Sequence, residues 1–255
     1  MNPSISIIFE DNDFAVVNKP AGVTVNRAET TKHEQTIQDW SEEKFGIQYK
    51  VATNKFGDTD WRPEDDFYAR GGIVHRLDKE TSGILLIAKN PSAFVNLQNQ
   101  FRERTVKKTY VALAHGVIMP TEGAIQVPVG RLPWNRNRFG VLPGGRESKT
   151  TYTVLSYYQL PDKKETLSFV QLYPQSGRTH QIRVHLKYIN HPIFSDLLYA
   201  GRKTARKDRT FLVRVFLHAS KISFLQPATG EKLSYEAHLA DELHQFLQTL
   251  VKISL

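Results

Sequence analysis

Apolar residues along the chain fall mainly into short runs bounded by turn residues, the pattern of strands laid against a core. Ile5–Phe9, Phe14–Asn18, Gly72–His75, Gly83–Lys89, Thr109–His115, Thr151–Tyr158, Thr166–Tyr173 and Phe216–Leu225 are rich in Val, Ile, Phe and Tyr and are expected to be strands. Three segments carry helical spacing instead. Asn90-Pro91 resembles a helix start, with Phe94, Leu97 and Phe101 on one stripe. Ile182, Leu186 and Ile189 make a stripe through Thr179–Asn190, and Leu239, Leu243, Phe246, Leu247 and Leu250 make another. Many strands, few helices and no regular βαβ alternation predict an α+β fold around a mixed, mostly antiparallel central sheet with flanking helices and loops.

Three stretches lack such periodicity and are expected to be loops. In residues 48–70, Asp58, Asp60, Glu64, Asp65 and Asp66 surround Trp61 and Pro63; the oxygen ligands lack calcium-loop spacing, so this reads as a solvated acidic loop. Gly130–Lys149 carries Arg131, Arg136, Arg138, Arg146 and Lys149 with Trp134 and Phe139 between them, and Arg202–Arg209 is almost wholly basic. Cations interleaved with aromatic rings suit RNA, although an ordinary solvated surface gives the same composition.

Composition narrows the chemistry. With no cysteine among 255 residues, disulfides, thiolate metal sites and cysteine nucleophiles are excluded. The longest apolar run, Ile84–Ala88, is far short of a membrane span, and the first residues lack the basic start of a signal peptide, so a cytoplasmic protein is expected. A net charge of +8 fits a polyanionic partner without requiring one.

The segment Gly71-Gly-Ile-Val-His-Arg-Leu-Asp-Lys-Glu-Thr-Ser-Gly83 places His75, Arg76 and Asp78 on a polar loop ahead of an apolar strand. A carboxylate there is held rigidly and exposed to a reactant, but Arg76 and Asp78 alone could equally be a structural ion pair. The full string closely resembles the signature of the RluA-type RNA pseudouridine synthases. Other segments match that family in order: Asn18-Lys19-Pro20-Ala21-Gly22-Val23-Thr24-Val25, Lys107-Lys108-Thr109-Tyr110, Gly177-Arg-Thr-His-Gln-Ile-Arg-Val-His185, His191-Pro192-Ile193 with Asp196 and Tyr199, and Leu217-His218-Ala219 with Pro227. The resemblance spans roughly residues 14–230. Where the family usually reads Gly-Asp before Tyr-Gly, this chain has Ser195 before Asp196 and Ala200 between Tyr199 and Gly201, which bears on the shape of that loop.

The resemblance implies the pseudouridine synthase fold with a catalytic cleft across the sheet, one catalytic domain over 1–255 and no S4-type domain. It implies isomerisation of uridine in structured ribosomal or transfer RNA, with the target base flipped out of its stack. Asp78 matches the catalytic aspartate, Tyr110 the active-site tyrosine and Arg183 the basic partner, with Arg178 the alternative partner or a phosphate contact. Arg76 matches the residue that fills the space left by the flipped base. His75, Lys108, Arg136 and Arg138 are further expected RNA contacts. No cofactor, metal or membrane partner is expected, and the protein is expected to be a monomer. His180, His185 and His191 could suggest a metal site, but helix packing or phosphate contact accounts for them better. Two alternatives remain open: a binding-only relative that has lost the reaction, and a carboxylate glycosidase, which would want a second acidic group absent from the matched motifs.

Overall fold

The computed structural model describes residues 5–31, 34–47, 63–161 and 165–254. In chain order the elements are β1 (Ser6–Glu10), β2 (Phe14–Lys19), α1 (Ile37–Phe45), α2 (Pro63–Ala69), β3 (Ser82–Ala88), α3 (Pro91–Arg102), β4 (Lys107–His115), β5 (Glu122–Gln126), β6 (Val129–Leu132), β7 (Asn135–Val141), β8 (Lys149–Gln159), β9 (Thr166–Pro174), α4 (Gln181–Tyr188), α5 (Arg202–Asp208), β10 (Leu217–Leu225), β11 (Lys232–Glu236), α6 (Asp241–Gln248) and β12 (Val251–Ile253). Among the described residues no helix is long and apolar enough to cross a membrane. The chain divides into two compact units, Met1–Val106 with Ser223–Ala237, and Lys107–Ile222 with His238–Leu255. Each is α+β, with a mostly antiparallel sheet and flanking helices, as the pattern predicts.

In the first unit β2 lies between β1 and β3, antiparallel to both. Every residue of β3 is buried, so its continuous apolar run is that of a strand covered on both faces. α3 starts where the sequence places it: the Asn90 side chain accepts from Ala93 N, with Pro91 at the first helical position. Phe94 from α3 meets Phe67 from α2 edge-on at 5.8 Å. α1 is closed by a capping box between Thr36 and Asp39 and ends at Gly46 in the left-handed conformation.

In the second unit β9 runs antiparallel between β4 and β8, and β5 and β12 add to β8. The core takes Leu113, Val170 and Leu172 from the sheet, Ile182 and Leu186 from α4, and Leu243 and Phe246 from α6. Phe246 stacks on Phe194 at 5.0 Å. A separate two-stranded sheet, β6–β7, stands beside this core.

Four expectations are corrected. Gly72–His75 is not a strand; only an isolated bridge joins Ile73 to Ile87. Gly71 and Gly72 both take positive φ, and a Cβ on Gly72 would come within 2.2 Å of the Ala88 carbonyl oxygen, so this turn presses against β3 rather than extending along it. Glu64, Asp65 and Asp66 form the first turn of α2, where their charge complements the helix dipole, instead of a loop; residues 48–62 of the expected acidic loop lie outside the described residues. Gly130–Lys149 is largely the β6–β7 hairpin, whose strands are too short and too charged to show alternation. Arg202–Arg209 is mostly helix α5, turning Ala205 and Asp208 inward and its cations outward.

Candidate active-site elements

The signature loop of the first unit is fastened on both sides of Asp78. Lys19, at the end of β2, is fully buried, and its Nζ donates to the carbonyl oxygens of Pro20 (2.8 Å), Val23 (2.8 Å) and Lys79 (3.1 Å). The Lys79 carbonyl also accepts from Gly22 N at 2.8 Å, and the Asp78 carbonyl accepts from Thr81 N at 3.0 Å. A buried ammonium is costly unless its protons are satisfied, so these carbonyls fix Lys19, and Lys19 in turn fixes the loop. Asp78 is half-buried and Arg76 exposed. His75 serves the fold: its Nε2 accepts from Leu86 N at 2.9 Å and its ring stacks on Phe101 at 4.7 Å.

In the second unit Lys108 and Tyr110 share one face of β4, two residues apart on a pleated strand, and both are half-buried. Lys108 Nζ lies 3.4 Å from the Ser176 carbonyl oxygen. Burial lowers the Lys108 ammonium from its ordinary 10.5 to about 8. Ser176 leads into the loop that starts α4. There Gln181 Oε1 accepts from Ser176 Oγ (2.7 Å) and Arg178 N (3.0 Å), while Gln181 Nε2 donates to the Lys149 carbonyl (3.1 Å). Arg178 is half-buried, its Nε directed at the Glu147 carbonyl. The entry into α4 turns at His180, whose φ is +57° and whose Nδ1 lies 2.8 Å from the Tyr199 hydroxyl.

Arg183, in the first turn of α4, is gripped by Asp196 through Nε (2.8 Å) and Nη2 (2.9 Å), and its guanidinium lies 5.0 Å from the Tyr199 ring centroid. Asp196 is fully buried and also accepts from Leu198 N and Tyr199 N. A bidentate fork of this kind holds an arginine in one orientation. The Ser195 departure has a structural account: Ser195 sits at φ +65°, where glycine is the ordinary residue, and is held by its N–H to Asp208 Oδ2 (3.0 Å) and its hydroxyl to the Leu212 carbonyl. Arg138 is half-buried on β7; Arg136 belongs to the same strand.

The three histidines go to separate duties. His185 is fully buried, with Nε2 2.9 Å from Ser148 Oγ and Nδ1 2.9 Å from Thr150 Oγ1, and burial lowers it to about 4, so it is neutral. His191 Nδ1 donates to the His115 carbonyl at 2.8 Å. Among the described residues no three His, Cys, Asp or Glu side chains gather as a metal ion requires. Lys19, Gln181 and Asp196 support these loops from buried positions, and nothing in the motifs that contain them marks that role. The one signal available was that each is a polar residue beside apolar neighbours, where burial demands a partner.

The sequence model of the RNA pseudouridylate synthase family matches residues 13–188. Ribosomal large subunit pseudouridine synthase D of Neisseria meningitidis serogroup B is 35% identical over 97% of this chain and 61% of its own length. The uncharacterized RNA pseudouridine synthase YlyB of Bacillus subtilis is 34% identical over 97% of this chain and 73% of its own. The chain thus spans about three fifths of the first curated relatives it matches. Among solved structures, human RNA Pseudouridylate Synthase Domain Containing 1 superposes with a TM-score of 0.73 at 27% identity, covering 100% of this chain and 93% of that one. Human RNA Pseudouridylate Synthase Domain Containing 4, with a TM-score of 0.68 at 22% identity over 96% of this chain and 94% of that one, shares the fold. The chain belongs to the RNA pseudouridylate synthase family, as the motifs read from its sequence imply for an RluA-type member.

Proposed function

We propose that this chain, acting over 1–255 as one catalytic domain, isomerises uridine to pseudouridine in structured ribosomal or transfer RNA. The observation that carries the reading is the family match over residues 13–188, which contains the Asp78 loop and every residue assigned a catalytic role. In the reaction the N1–C1′ bond breaks, the uracil turns, and a C5–C1′ bond forms; C5 gives up its proton and N1 gains one, so no donor or redox partner is needed. Asp78 acts either as nucleophile at C1′ or as base at C2′. Its support is the clamped loop, since a carboxylate must be held still to meet one sugar carbon. Arg183 supplies the cation that keeps a carboxylate ionised in a dry setting, and Asp196 sets its orientation. Tyr110 stacks on the uracil and moves a proton. The target base is flipped out of the RNA, Arg76 takes its place in the stack, and Lys108, Arg178, Arg136 and Arg138 contact phosphates. His75 contributes by holding the loop from behind.

The test is chemical. Large-subunit ribosomal RNA transcribed with ordinary uridine is incubated with the protein and no additive, then digested to nucleosides and chromatographed. Appearance of pseudouridine with a matching loss of uridine is expected. Release of free uracil would instead mark a glycosidase, and unchanged RNA that nonetheless binds would mark a binding-only relative.

A further inference from the structure

In the second unit a chain of hydrogen bonds runs from a backbone carbonyl to the loop that carries Arg178. Ser148 Oγ lies 2.7 Å from the Val127 carbonyl oxygen and 2.9 Å from His185 Nε2. His185 Nδ1 lies 2.9 Å from Thr150 Oγ1, which lies 3.1 Å from Gln181 Nε2. Gln181 Oε1 accepts from Ser176 Oγ (2.7 Å) and Arg178 N (3.0 Å). Ser148, Thr150, Ser176, Gln181 and His185 are all buried, so their polar atoms rely on one another rather than on water.

The two ends fix where each proton goes. A carbonyl only accepts, so Ser148 gives its single hydroxyl proton to Val127 and must accept from His185 Nε2–H. Burial lowers the imidazole to about 4 although the Val127 carbonyl favours a proton on it, so the ring is neutral and Nδ1 is bare. Thr150 therefore donates to Nδ1 and accepts from Gln181 Nε2. A backbone N–H only donates, so Arg178 N requires Gln181 Oε1 on its side. That is the same amide orientation reached from the other end.

We infer that His185 and Thr150 are positioning residues for RNA: by fixing which way the Gln181 amide faces, they hold the 176–178 loop as Arg178 and Lys108 need it to meet phosphates. Lys108 enters through the Ser176 carbonyl, 3.4 Å from its Nζ. The inference rests on the proposed RNA substrate and goes beyond it, since both residues are fully buried and act only through others. Without the Thr150 hydroxyl, Gln181 Nε2 keeps the Lys149 carbonyl (3.1 Å) but His185 Nδ1 loses its donor, and the amide is no longer oriented from both ends.

The experiment compares Thr150→Val, which keeps the shape and removes the hydroxyl, with Thr150→Ser, which keeps the hydroxyl. Affinity for the ribosomal RNA transcript and turnover at saturating transcript are measured separately. Thr150→Val is expected to weaken affinity about fivefold and to leave turnover within about twofold, while Thr150→Ser binds as the unaltered protein does. Unchanged affinity in Thr150→Val, the result of a purely structural role, would overturn the inference. So would an equal loss in Thr150→Ser, which would assign the effect to packing, or turnover that falls as far as affinity, which would mark a disturbed active site. If the unaltered protein binds the transcript and converts no uridine, the proposed reaction fails and the affinity comparison still decides the inference. NMR of the unaltered protein labelled with ¹⁵N-histidine reads the ring whatever the stability of the variants. At neutral pH His185 is expected to be uncharged with its proton on Nε2; a proton on Nδ1, alone or in addition, would overturn the inference.

Discussion

At the scale of single residues, Lys108, a proposed RNA contact, has surroundings that work against stability. Lys108 is half-buried with a carbonyl oxygen as its described partner, and burial drops its ammonium to about 8. Below that pH the lysine is charged at a desolvation cost. Lys108→Met is therefore expected to raise the thermal midpoint at pH 7 by a few degrees, roughly 1 kcal/mol. The same change is expected to weaken RNA binding severalfold; a calorimetric scan and a binding titration check the two halves. In the unaltered protein the RNA affinity is expected to decline above about pH 8 as Lys108 loses its proton. The sequence showed Lys108 only as one of two adjacent lysines, because burial of one and exposure of the other depends on which face of β4 meets the 176–177 loop. The loop that carries Asp78 stands out in the sequence as a motif, whereas the Lys19 cage that steadies it does not, since carbonyl partners leave no trace in residue types.

At the scale of elements, α5 is tied to the core by a buried ion network. His115, at the end of β4, lies against Glu165 through Nδ1 and Asp208 through Nε2 (2.9 Å), and Asp208 also holds Ser195 N. Burial alone would lower the imidazole, but hydrogen bonds to Asp208 and Glu165 overcome it and raise it to about 9. Because the folded value lies above the unfolded one of about 6.5, this contribution to stability is complete below pH 6.5 and is lost as pH climbs to about 9. His185 works in the opposite sense: held neutral with a value of about 4, it favours the fold above pH 6.5 and penalises it as pH falls toward 4. Thermal midpoints measured from pH 4 to 10 are expected to fall on both sides of neutrality, and His115→Gln is expected to flatten the alkaline side while lowering the midpoint at pH 6.5. An alkaline fall that persists in His115→Gln would contradict this assignment.

Elements also show why some structure was readable and some was not. Strands β2, β3, β4, β8, β9 and β10 announced themselves because their alternation or continuous apolar runs are set by a core on one or both sides. α1 was missed although Thr36, Asp39 and Gly46 supply its caps, because its polar face breaks the apolar stripe. α5 and the β6–β7 hairpin bury so little that periodicity had nothing to record, and their charge alone was visible.

At the scale of the whole molecule, the excess of eight positive charges is spent unevenly. It gathers on the hairpin and on the outer face of α5, where Arg202, Lys203, Arg206 and Lys207 are exposed, while Lys19, Arg183 and Arg214 are buried and matched within the fold. Two uses of cation follow: buried ones shape loops, and in the proposed function the exposed ones meet the RNA. The absence of cysteine fits as well, since the proposed chemistry rests on a carboxylate. The most direct measurement of that claim follows tritium at uracil C5 of a ribosomal RNA transcript, because with no methyl donor present its release to water reports a new bond at C5, as isomerisation requires. Wild-type protein is expected to release it without any cofactor, and Asp78→Asn is expected to lower release by at least about a thousandfold while still binding the RNA. Undiminished release from Asp78→Asn would contradict the account.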